Sequence, residues 1–368
     1  MSSHRSVPTP GPLLEQLAES RFVLDLNAAP GPGGPRALPV RSRSGPDPVP
    51  CVLLLGRAGD AEFGAVARLL RRAGTPVVQL DPAAQATGPF CFDPAAGVLA
   101  SPNGRLRPTV AWARHAPPPD LRPGDALDRF ARTSWAELVA QVGASAPVSV
   151  PVRRPGLLEQ LRAATALGVV VPRTLVSTDT AAAAASLGSR QVVVKALGSH
   201  FVETAPGRLT GVFPEVHDRA ELIRRTGAAP GPPVVVQEYV EHSAELRVYY
   251  VRGEVLAYHV VKSSPSAPWT GPDTVRVGAV RAPTAVVRAA GALAAEWDLR
   301  YGAFDFLLRP DGEPVFLEAN LNGDWRWHEA ATGDLRVTRA AARMLRDLHT
   351  EASAPGGPGI ELLAFLCG

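Results

Sequence analysis

Two short apolar segments joined by turn residues constrain the fold of this chain more than any other feature. Apolar residues alternate with other residues along 303–308 and again along 315–319, and the intervening Pro-Asp-Gly at 310–312 is typical of a tight turn. Strands joined by so short a turn pair in opposite directions. The pattern therefore predicts a β-hairpin.

The register of this hairpin determines which side chains face each other. With Asp311 and Gly312 at the centre of a two-residue turn, Asp305 on the first strand lies directly opposite Glu318 on the second. Pro310 lacks the N–H that a two-residue loop uses beside the turn, which leaves a three-residue loop with a shifted register as the alternative. A bulge would then restore the match between the two carboxylates.

Two facing carboxylates on an apolar hairpin repel each other, and a hard cation bound by oxygen ligands offsets that repulsion. Asn320 lies on the same face as Glu318. The phenylalanines and leucines around these residues indicate that both faces of the hairpin are largely buried. The sequence therefore predicts a divalent-metal site formed by Asp305, Glu318 and Asn320. The alternative is a surface hairpin with scattered polar residues.

The composition indicates a globular protein of two or three domains. Hydrophobic residues make up 46% of the 368 residues and charged residues 20%, and no apolar segment approaches the ~20 residues that span a bilayer. The first residues lack the apolar core of a secretory signal, and three cysteines do not form a disulfide framework, so we expect a cytoplasmic protein without a membrane partner. The net charge of +3 is spread over dispersed basic residues, which argues against nucleic-acid binding.

Lysine is rare in this chain. Of 38 basic residues only Lys195 and Lys262 are lysines, so positive charge is otherwise carried by arginine. A compact ammonium group approaches a phosphate as a point charge, in a space that a planar guanidinium does not fit. Lys195 follows the β-branched residues 192–194, which predict a strand. Lys195 is therefore a candidate phosphate contact, and the chance survival of two lysines is the alternative.

The chain begins with an extension and a small α/β domain. Residues 1–49 are rich in Pro and Gly, and we expect them to be flexible. The domain at 50–147 starts with a strand, a helix and a second strand, which is a βαβ unit. Near its end, Trp112 and Arg114 are either substrate contacts or ordinary residues at the end of a strand. Residues 351–368 form a Pro- and Gly-rich tail.

Five short motifs follow in a fixed order after residue 150. They are Lys195 at the end of a strand, Gln-Glu-Tyr-Val at 237–240, Glu-Leu-Arg at 245–247, Asp-Phe at 305–306 and Phe-Leu-Glu-Ala-Asn at 316–320. Over about residues 150–345 this order resembles the ATP-grasp ligases. The resemblance implies an ATP-grasp fold of two α+β subdomains, at 148–233 and 234–350. It also implies that ATP is clamped between them with Mg²⁺ on its phosphates.

The resemblance assigns nucleotide contacts to matching positions. Lys195 corresponds to the lysine that touches the α and β phosphates. The adenine hinge corresponds to Gln237, Glu238, Tyr239 and Val240. The ribose contact corresponds to Glu241.

The resemblance also implies catalytic and metal-binding residues. Arg247 corresponds to the arginine near the transferred phosphate, where a guanidinium stabilises developing charge. Glu245 either orients that arginine or forms a structural ion pair, and Lys262 falls near a basic position of the family. Asp305, with Glu318 and Asn320, matches the magnesium ligands.

A narrower resemblance concerns residues 318–329, Glu-Ala-Asn-Leu-Asn-Gly-Asp-Trp-Arg-Trp-His-Glu. They resemble the E-x-N-x-x-G-x-W-x-W-x-E segment of the microviridin-type maturases of ribosomal peptides, as does Pro-Arg-Thr-Leu-Val at 172–176. Trp325 and Trp327 are either substrate contacts or core aromatics. One departure is Arg-Arg-Pro at 153–155, where the family often has Asn-Lys-Pro, so the family's first phosphate-contacting lysine is replaced by arginine or lost.

The resemblance implies an ATP- and Mg²⁺-dependent ligase that crosslinks a precursor peptide through an acyl phosphate, forming ester or amide bonds. Three alternatives are a ligase that joins free amino acids, an ATP-grasp kinase and a degenerate nucleotide-binding module. A homodimer is one arrangement that the sequence leaves open.

Overall fold

The computed structural model describes residues 47–57, 59–81, 91–101, 104–114, 126–198, 201–205, 208–211, 214–224, 231–262 and 275–353. Most of the N-terminal extension and of the C-terminal tail named above lies outside these residues. Within them, no helix is long and apolar enough to cross a membrane.

The first domain is built on a six-stranded sheet in which four strands run parallel. Its elements are β1 (Val49–Leu55), α1 (Ala61–Arg72), β2 (Val77–Leu80), β3 (Cys91–Asp93), β4 (Val98–Ser101), β5 (Gly104–Ala113), α2 (Ala126–Ser145) and β6 (Val148–Val150). The strand order is β2-β1-β5-β4-β3, with β6 paired parallel to the end of β5. Asp60 caps α1 by accepting hydrogen bonds from the backbone N–H groups of Glu62 and Phe63. The predicted βαβ start is confirmed.

A four-stranded antiparallel sheet follows, in the order β11-β8-β12-β7. Its elements and their neighbours are α3 (Leu157–Ala166), β7 (Thr174–Ser177), α4 (Thr180–Ala185), β8 (Gln191–Ala196), β9 (Phe201–Ala205), β10 (Arg208–Gly211), β11 (Glu215–Asp218), α5 (Arg219–Arg224) and β12 (Val234–Glu238). Strands β9 and β10 form a separate hairpin. Apolar side chains of α4 and α5 pack on one face of the sheet, which leaves the face that carries Lys195 for other contacts.

The last part of the chain forms a five-stranded antiparallel sheet in the order β15-β14-β13-β16-β17. Its elements are β13 (Ala244–Val251), β14 (Glu254–Lys262), β15 (Val275–Val280), α6 (Thr284–Glu296), β16 (Tyr301–Leu308), β17 (Pro314–Asn320), α7 (Arg326–Thr332) and α8 (Arg336–Ser353). One face packs against α6 in a closed apolar core. The other face shares a second core with the first domain, where Tyr249 and Trp325 meet Trp112.

The hairpin of β16 and β17 has the predicted partners but a different turn. Arg309 N–H donates to Glu313 O over 3.0 Å, so three residues form the loop, and Gly312 adopts a φ of +86° that favours glycine. A bulge next to Phe306 then shifts the register so that Asp305 lies opposite Glu318. The two-residue turn is therefore wrong, and the three-residue loop with a compensating bulge is confirmed.

Candidate active site

Polar side chains occupy one end of the five-stranded sheet, on the face opposite α6. Because side chains alternate along β13, Glu245 and Arg247 share this face with Tyr249, whereas Leu246 and Val248 point into the core beneath α6. The four-stranded sheet reaches the same region through Lys195, which is buried. We call the space between these two sheets the cleft.

The three predicted metal ligands lie together in the cleft. Asp305 and Glu318 are cross-strand neighbours, and Asn320 follows Glu318 on the same face of β17. The side chains of Asp305 and Glu318 are 21% and 29% exposed, so both carboxylates remain within reach of solvent or of a ligand. The amide oxygen of Asn320 accepts a hydrogen bond from Asn322 N–H over 3.0 Å, which orients it.

Each of the two carboxylates is paired with a cation. Arg247 Nη1 donates to both oxygens of Asp305, over 2.9 and 2.7 Å, and Lys195 Nζ lies 3.0 Å from Glu318 Oε2. Burial raises the pKa of Asp305, the charge of Arg247 opposes that rise, and the nearby carboxylate of Glu318 adds to it. A further cation would therefore be stabilised here.

The donor chemistry of this group fits magnesium. Two carboxylates and one amide oxygen are hard ligands, and Mg²⁺ takes its remaining positions from water and phosphate. In the described residues no three His, Cys, Asp or Glu side chains form a metal-binding group. Asp305 and Glu318 would therefore hold a metal together with ligands of another kind, such as the Asn320 amide, water or phosphate.

A second ion pair adjoins the first on the same sheet. Lys262 Nζ lies 2.7 Å from Glu245 Oε1, and His242 Nε2 lies 3.6 Å from the same oxygen. Burial alone would raise the pKa of Glu245, but the His242 hydrogen bond and the Lys262 charge outweigh it and lower that pKa. Glu245 therefore contacts Lys262 and His242, whereas Arg247 donates to Asp305.

Gly323 has a steric role in this site. A Cβ atom at this position would lie 2.5 Å from Arg247 Nη2 and 2.4 Å from the Cβ of Ala303, which are impossible contacts. The loop that follows β17 thus passes directly over the Arg247 guanidinium. This packing explains the glycine in the E-x-N-x-x-G pattern.

The predicted adenine hinge joins the two sheets, but its first side chains are engaged within the protein. Gln237 is buried, and its Nε2 donates to Thr174 Oγ1 over 2.7 Å. The Glu238 carboxylate accepts a hydrogen bond from Gly188 N–H over 2.8 Å, next to the end of α4. Glu238 N–H and Tyr239 N–H also donate within the protein, to Arg173 O and Gln191 O. A nucleotide contact in this segment would therefore come from other backbone groups rather than from these two side chains.

The later hinge residues lie closer to the cleft. Tyr239 is partly buried, and its ring centroid is 5.8 Å from that of His242. Val240 O lies 2.7 Å from His242 Nδ1, and Glu241 is exposed. The structure thus brings Val240 close to the Glu245 pair through His242.

A buried network that sequence reasoning missed connects the loop at 321–325, which follows β17, to the first domain. We call this loop the metal-side loop. Glu62 Oε1 accepts hydrogen bonds from Trp325 N–H and Arg326 N–H, each over 2.6 Å, and Glu62 Oε2 lies 2.5 Å from Arg114 Nη2. Arg114 also pairs with Asp324. A glutamate in the first turn of a helix is so common that its sequence position carried no signal. Sequence analysis predicts Arg114 to be either a substrate contact or an ordinary residue at the end of a strand. The structure shows that it contacts other residues of the protein.

The two tryptophans of the 318–329 segment differ. Trp325 is fully buried, stacks 6.0 Å from Trp112 and donates to Thr338 Oγ1 over 2.8 Å, so it is a core residue. Trp327 is partly exposed and packs edge-on against His328 at 4.9 Å. The interpretation as a core aromatic is confirmed for Trp325.

Comparison with known proteins identifies the class of fold. No family model matches the sequence, and no curated protein sequence matches it. Solved structures of ATP-grasp ligases do match, over about four fifths of this chain, and the chain has the ATP-grasp fold, in agreement with the predicted mixed α/β and α+β class.

Two of these structures contain a bound peptide. The macrocyclase MdnC of Microcystis aeruginosa, bound to the precursor peptide MdnA, has a TM-score of 0.65 and 18% identity, with 81% of this chain and 100% of that chain covered. An ATP-grasp ligase of Chryseobacterium gregarium, in complex with ADP and a leader and core peptide, has a TM-score of 0.64 and 19% identity, covering 81% and 97%. The D-alanyl-alanine synthetase A of Vibrio cholerae has a lower TM-score of 0.51 at 14% identity, covering 82% and 99%.

Proposed function

We propose that this protein is an ATP- and Mg²⁺-dependent ligase that activates a side-chain carboxylate of a ribosomal precursor peptide as an acyl phosphate. A hydroxyl or amine of the same peptide then displaces the phosphate to form an ester or amide crosslink. The observation that carries this proposal is the facing pair of Asp305 and Glu318, which Lys195 reaches from the opposite sheet. The likeness to ligases that are bound to precursor peptides supports the substrate class.

The cations of the cleft have distinct tasks in this proposal. Lys195 would bind phosphate oxygens and so leave Glu318 to the metal. Arg247, which is buried beside Asp305, would stabilise the negative charge that develops on the transferred phosphoryl group. Bound Mg²⁺ would neutralise phosphate charge with Asp305, Glu318 and Asn320 as its protein ligands.

The two-sheet arrangement also protects the activated carboxylate. Water would hydrolyse an acyl phosphate, and a cleft that closes on the peptide excludes it. The hinge at 237–240 would hold adenine through its backbone, since Gln237 and Glu238 use their side chains within the protein.

The test uses Asp305→Asn and Glu318→Gln with the precursor peptide encoded beside the gene. Each change keeps the shape of the side chain and removes a charged metal ligand, so we expect ATP-dependent loss of water from the peptide to fall more than ~100-fold. Mass spectrometry of the peptide measures the reaction. Glu313→Gln is the matched control, because Glu313 is an exposed carboxylate on the same hairpin, and it should react like the wild type.

Three outcomes would contradict the proposal. Unchanged turnover in both variants would show that Asp305 and Glu318 are not ligands of a metal that the reaction needs. A gain in peptide mass that requires a free amino acid would indicate amino-acid addition. A stable phosphorylated peptide would indicate a kinase.

A further inference from the structure

A cavity of about 580 Å³ opens at the carboxyl ends of three strands of the first domain. It lies beyond β1, β5 and β6 and is closed on one side by α2. The carboxyl ends of parallel strands are where open α/β sheets bind ligands. Lys195, Arg247, Asp305 and Glu318 of the cleft do not line this cavity.

The cavity has a positively charged lining. Arg57, Arg114 and Arg154 contribute to it, and no carboxylate does among the described lining residues. Arg114 is already paired with Glu62 and Asp324, so its charge is balanced. The surplus charge therefore comes from the other two arginines.

Arg154 is held by neutral groups. It donates from Nη2 to Ala113 O and from Nη1 to Asn322 Oδ1, each over 3.1 Å. Desolvation lowers the pKa of Arg154. Arg154 is exposed at the cavity. A guanidinium held by two neutral acceptors, with no carboxylate partner among the residues that the structure describes, is suited to receive an anion from outside the protein.

The cavity also has room and a suitable position. Helix α2 presents Ala136, Ala140 and Ala144 to it, one residue per turn, so no large side chain fills the space. Arg154 donates a hydrogen bond to Asn322, and Asn322 N–H donates to Asn320. These two bonds place the opening of the cavity beside the end of β17. A group bound there would lie close to Asn320, one of the proposed metal ligands.

We propose that this cavity is a subsite for a carboxylate side chain of the peptide substrate, held by Arg57 and Arg154. It anchors an acidic residue adjacent to the one that reacts at the metal. The identification of the occupant as a peptide rests on the proposed function, whereas the preference for a carboxylate rests on the lining alone.

The experiment measures binding of a blocked triglutamate peptide to the full-length protein by calorimetry, with the triglutamine peptide of the same length as comparison. We expect triglutamate to bind, triglutamine to bind at least ~10-fold more weakly, and Arg57→Gln and Arg154→Gln to weaken triglutamate binding by a similar factor. Arg153→Gln is the matched control: Arg153 is exposed, pairs with Glu159 and does not line the cavity, so its binding should equal the wild type.

A second variant tests the cavity without altering charge. Ala140→Phe fills the space from an exposed position of α2 and should also abolish triglutamate binding. Three results would each overturn the proposal. They are equal binding of triglutamine and triglutamate, unchanged triglutamate binding in Ala140→Phe, and displacement of triglutamate by an equal concentration of inorganic phosphate. Weaker binding of Mg²⁺–ADP to Arg154→Gln with unchanged triglutamate binding would also overturn it, because Arg154 would then be a phosphate contact.

This experiment separates the subsite from the reaction. Triglutamate binding with the expected pattern of variants supports the subsite even where no peptide loses water with ATP. Conversely, crosslinking activity without carboxylate-dependent binding would refute the subsite and leave the proposed function intact.

Discussion

Two clusters of basic and carboxylate side chains adjoin the loop at 321–325, and their central carboxylates differ in burial. The cleft cluster consists of Lys195, Arg247, Asp305 and Glu318, and the loop cluster consists of Glu62, Arg114 and Asp324. In the loop cluster, the Arg114 side chain is 0% exposed and that of Glu62 only 7%. Glu62 uses its second oxygen for two backbone N–H groups of the metal-side loop.

Asp305 and Glu318 in the cleft cluster are less enclosed than Glu62. Asp305 and Glu318 each meet a side-chain cation and keep more than a fifth of their side-chain surface exposed. The same residue types can therefore build a rigid joint or a ligand site. What separates the two is enclosure: Glu62 is almost fully buried and bonds to backbone N–H groups, whereas Asp305 and Glu318 keep part of their surface open to a ligand.

The largest difference between the clusters should appear in stability. Glu62→Gln removes a buried charge that Arg114 requires, and we expect the free energy of unfolding to fall by about 3–5 kcal/mol. Glu318→Gln should change it by less than ~1 kcal/mol, because that carboxylate is partly exposed. Urea denaturation measures both. Equal losses in the two variants would break the comparison.

Two histidines near these clusters should contribute to stability with opposite dependence on pH, beginning with acid. His328 lies beside the loop cluster, with its Nδ1 3.0 Å from the Tyr249 hydroxyl, which donates to Asp324 O over 2.5 Å. Burial, together with the charge of Arg247, lowers the pKa of His328 to about 3. Since an unfolded histidine takes up its proton near its ordinary pKa, stability from this residue is complete above that value and is lost as the pH falls towards the folded one.

That loss should amount to about 1.4 kcal/mol per pH unit between about pH 6 and pH 3. His328→Asn removes the titrating group, so its unfolding free energy should fall less steeply with acid over this range. Parallel slopes in the variant and the wild type would show that His328 is not the group responsible.

His242, on the side of the cleft, should give the smallest change in stability. Its contribution should depend on pH in the opposite direction to that of His328. The hydrogen bond to Glu245 raises the pKa of His242 despite its burial. Its contribution is therefore complete below the ordinary histidine pKa and is lost as the pH rises through the higher folded value. His242→Gln should cost ~1 kcal/mol at about pH 6 and less at about pH 9. Thermal unfolding at the two pH values is the measurement, and a constant difference would contradict the assignment.

Sequence analysis predicted those parts of the fold that depend on residues close together in the sequence. Alternation and turn chemistry placed Asp305 opposite Glu318, even though the loop length required the bulge alternative. The pairing of Arg247 with Asp305 depends instead on the register between β13 and β16, which tertiary packing fixes.

The loop cluster shows a stronger limit on sequence reasoning. Glu62 and Trp325 are 263 residues apart, and nothing in the sequence near either one indicates the other. The direction of the Glu238 side chain is a similar case, because it depends on which face of the four-stranded sheet the helices cover. The roles of the hinge residues and of the metal ligands stay predictions until the nucleotide complex is studied.

The scarcity of lysine has a practical consequence. Both ε-amino groups of the chain, those of Lys195 and Lys262, are paired with carboxylates on the walls of the cleft. An amine-directed acylating reagent can therefore modify this protein only at the cleft or at the chain's own α-amino group. Peptide mapping after such labelling becomes a footprint of the cleft, and the yield of modified Lys195 with and without nucleotide reports its occupancy without any mutation.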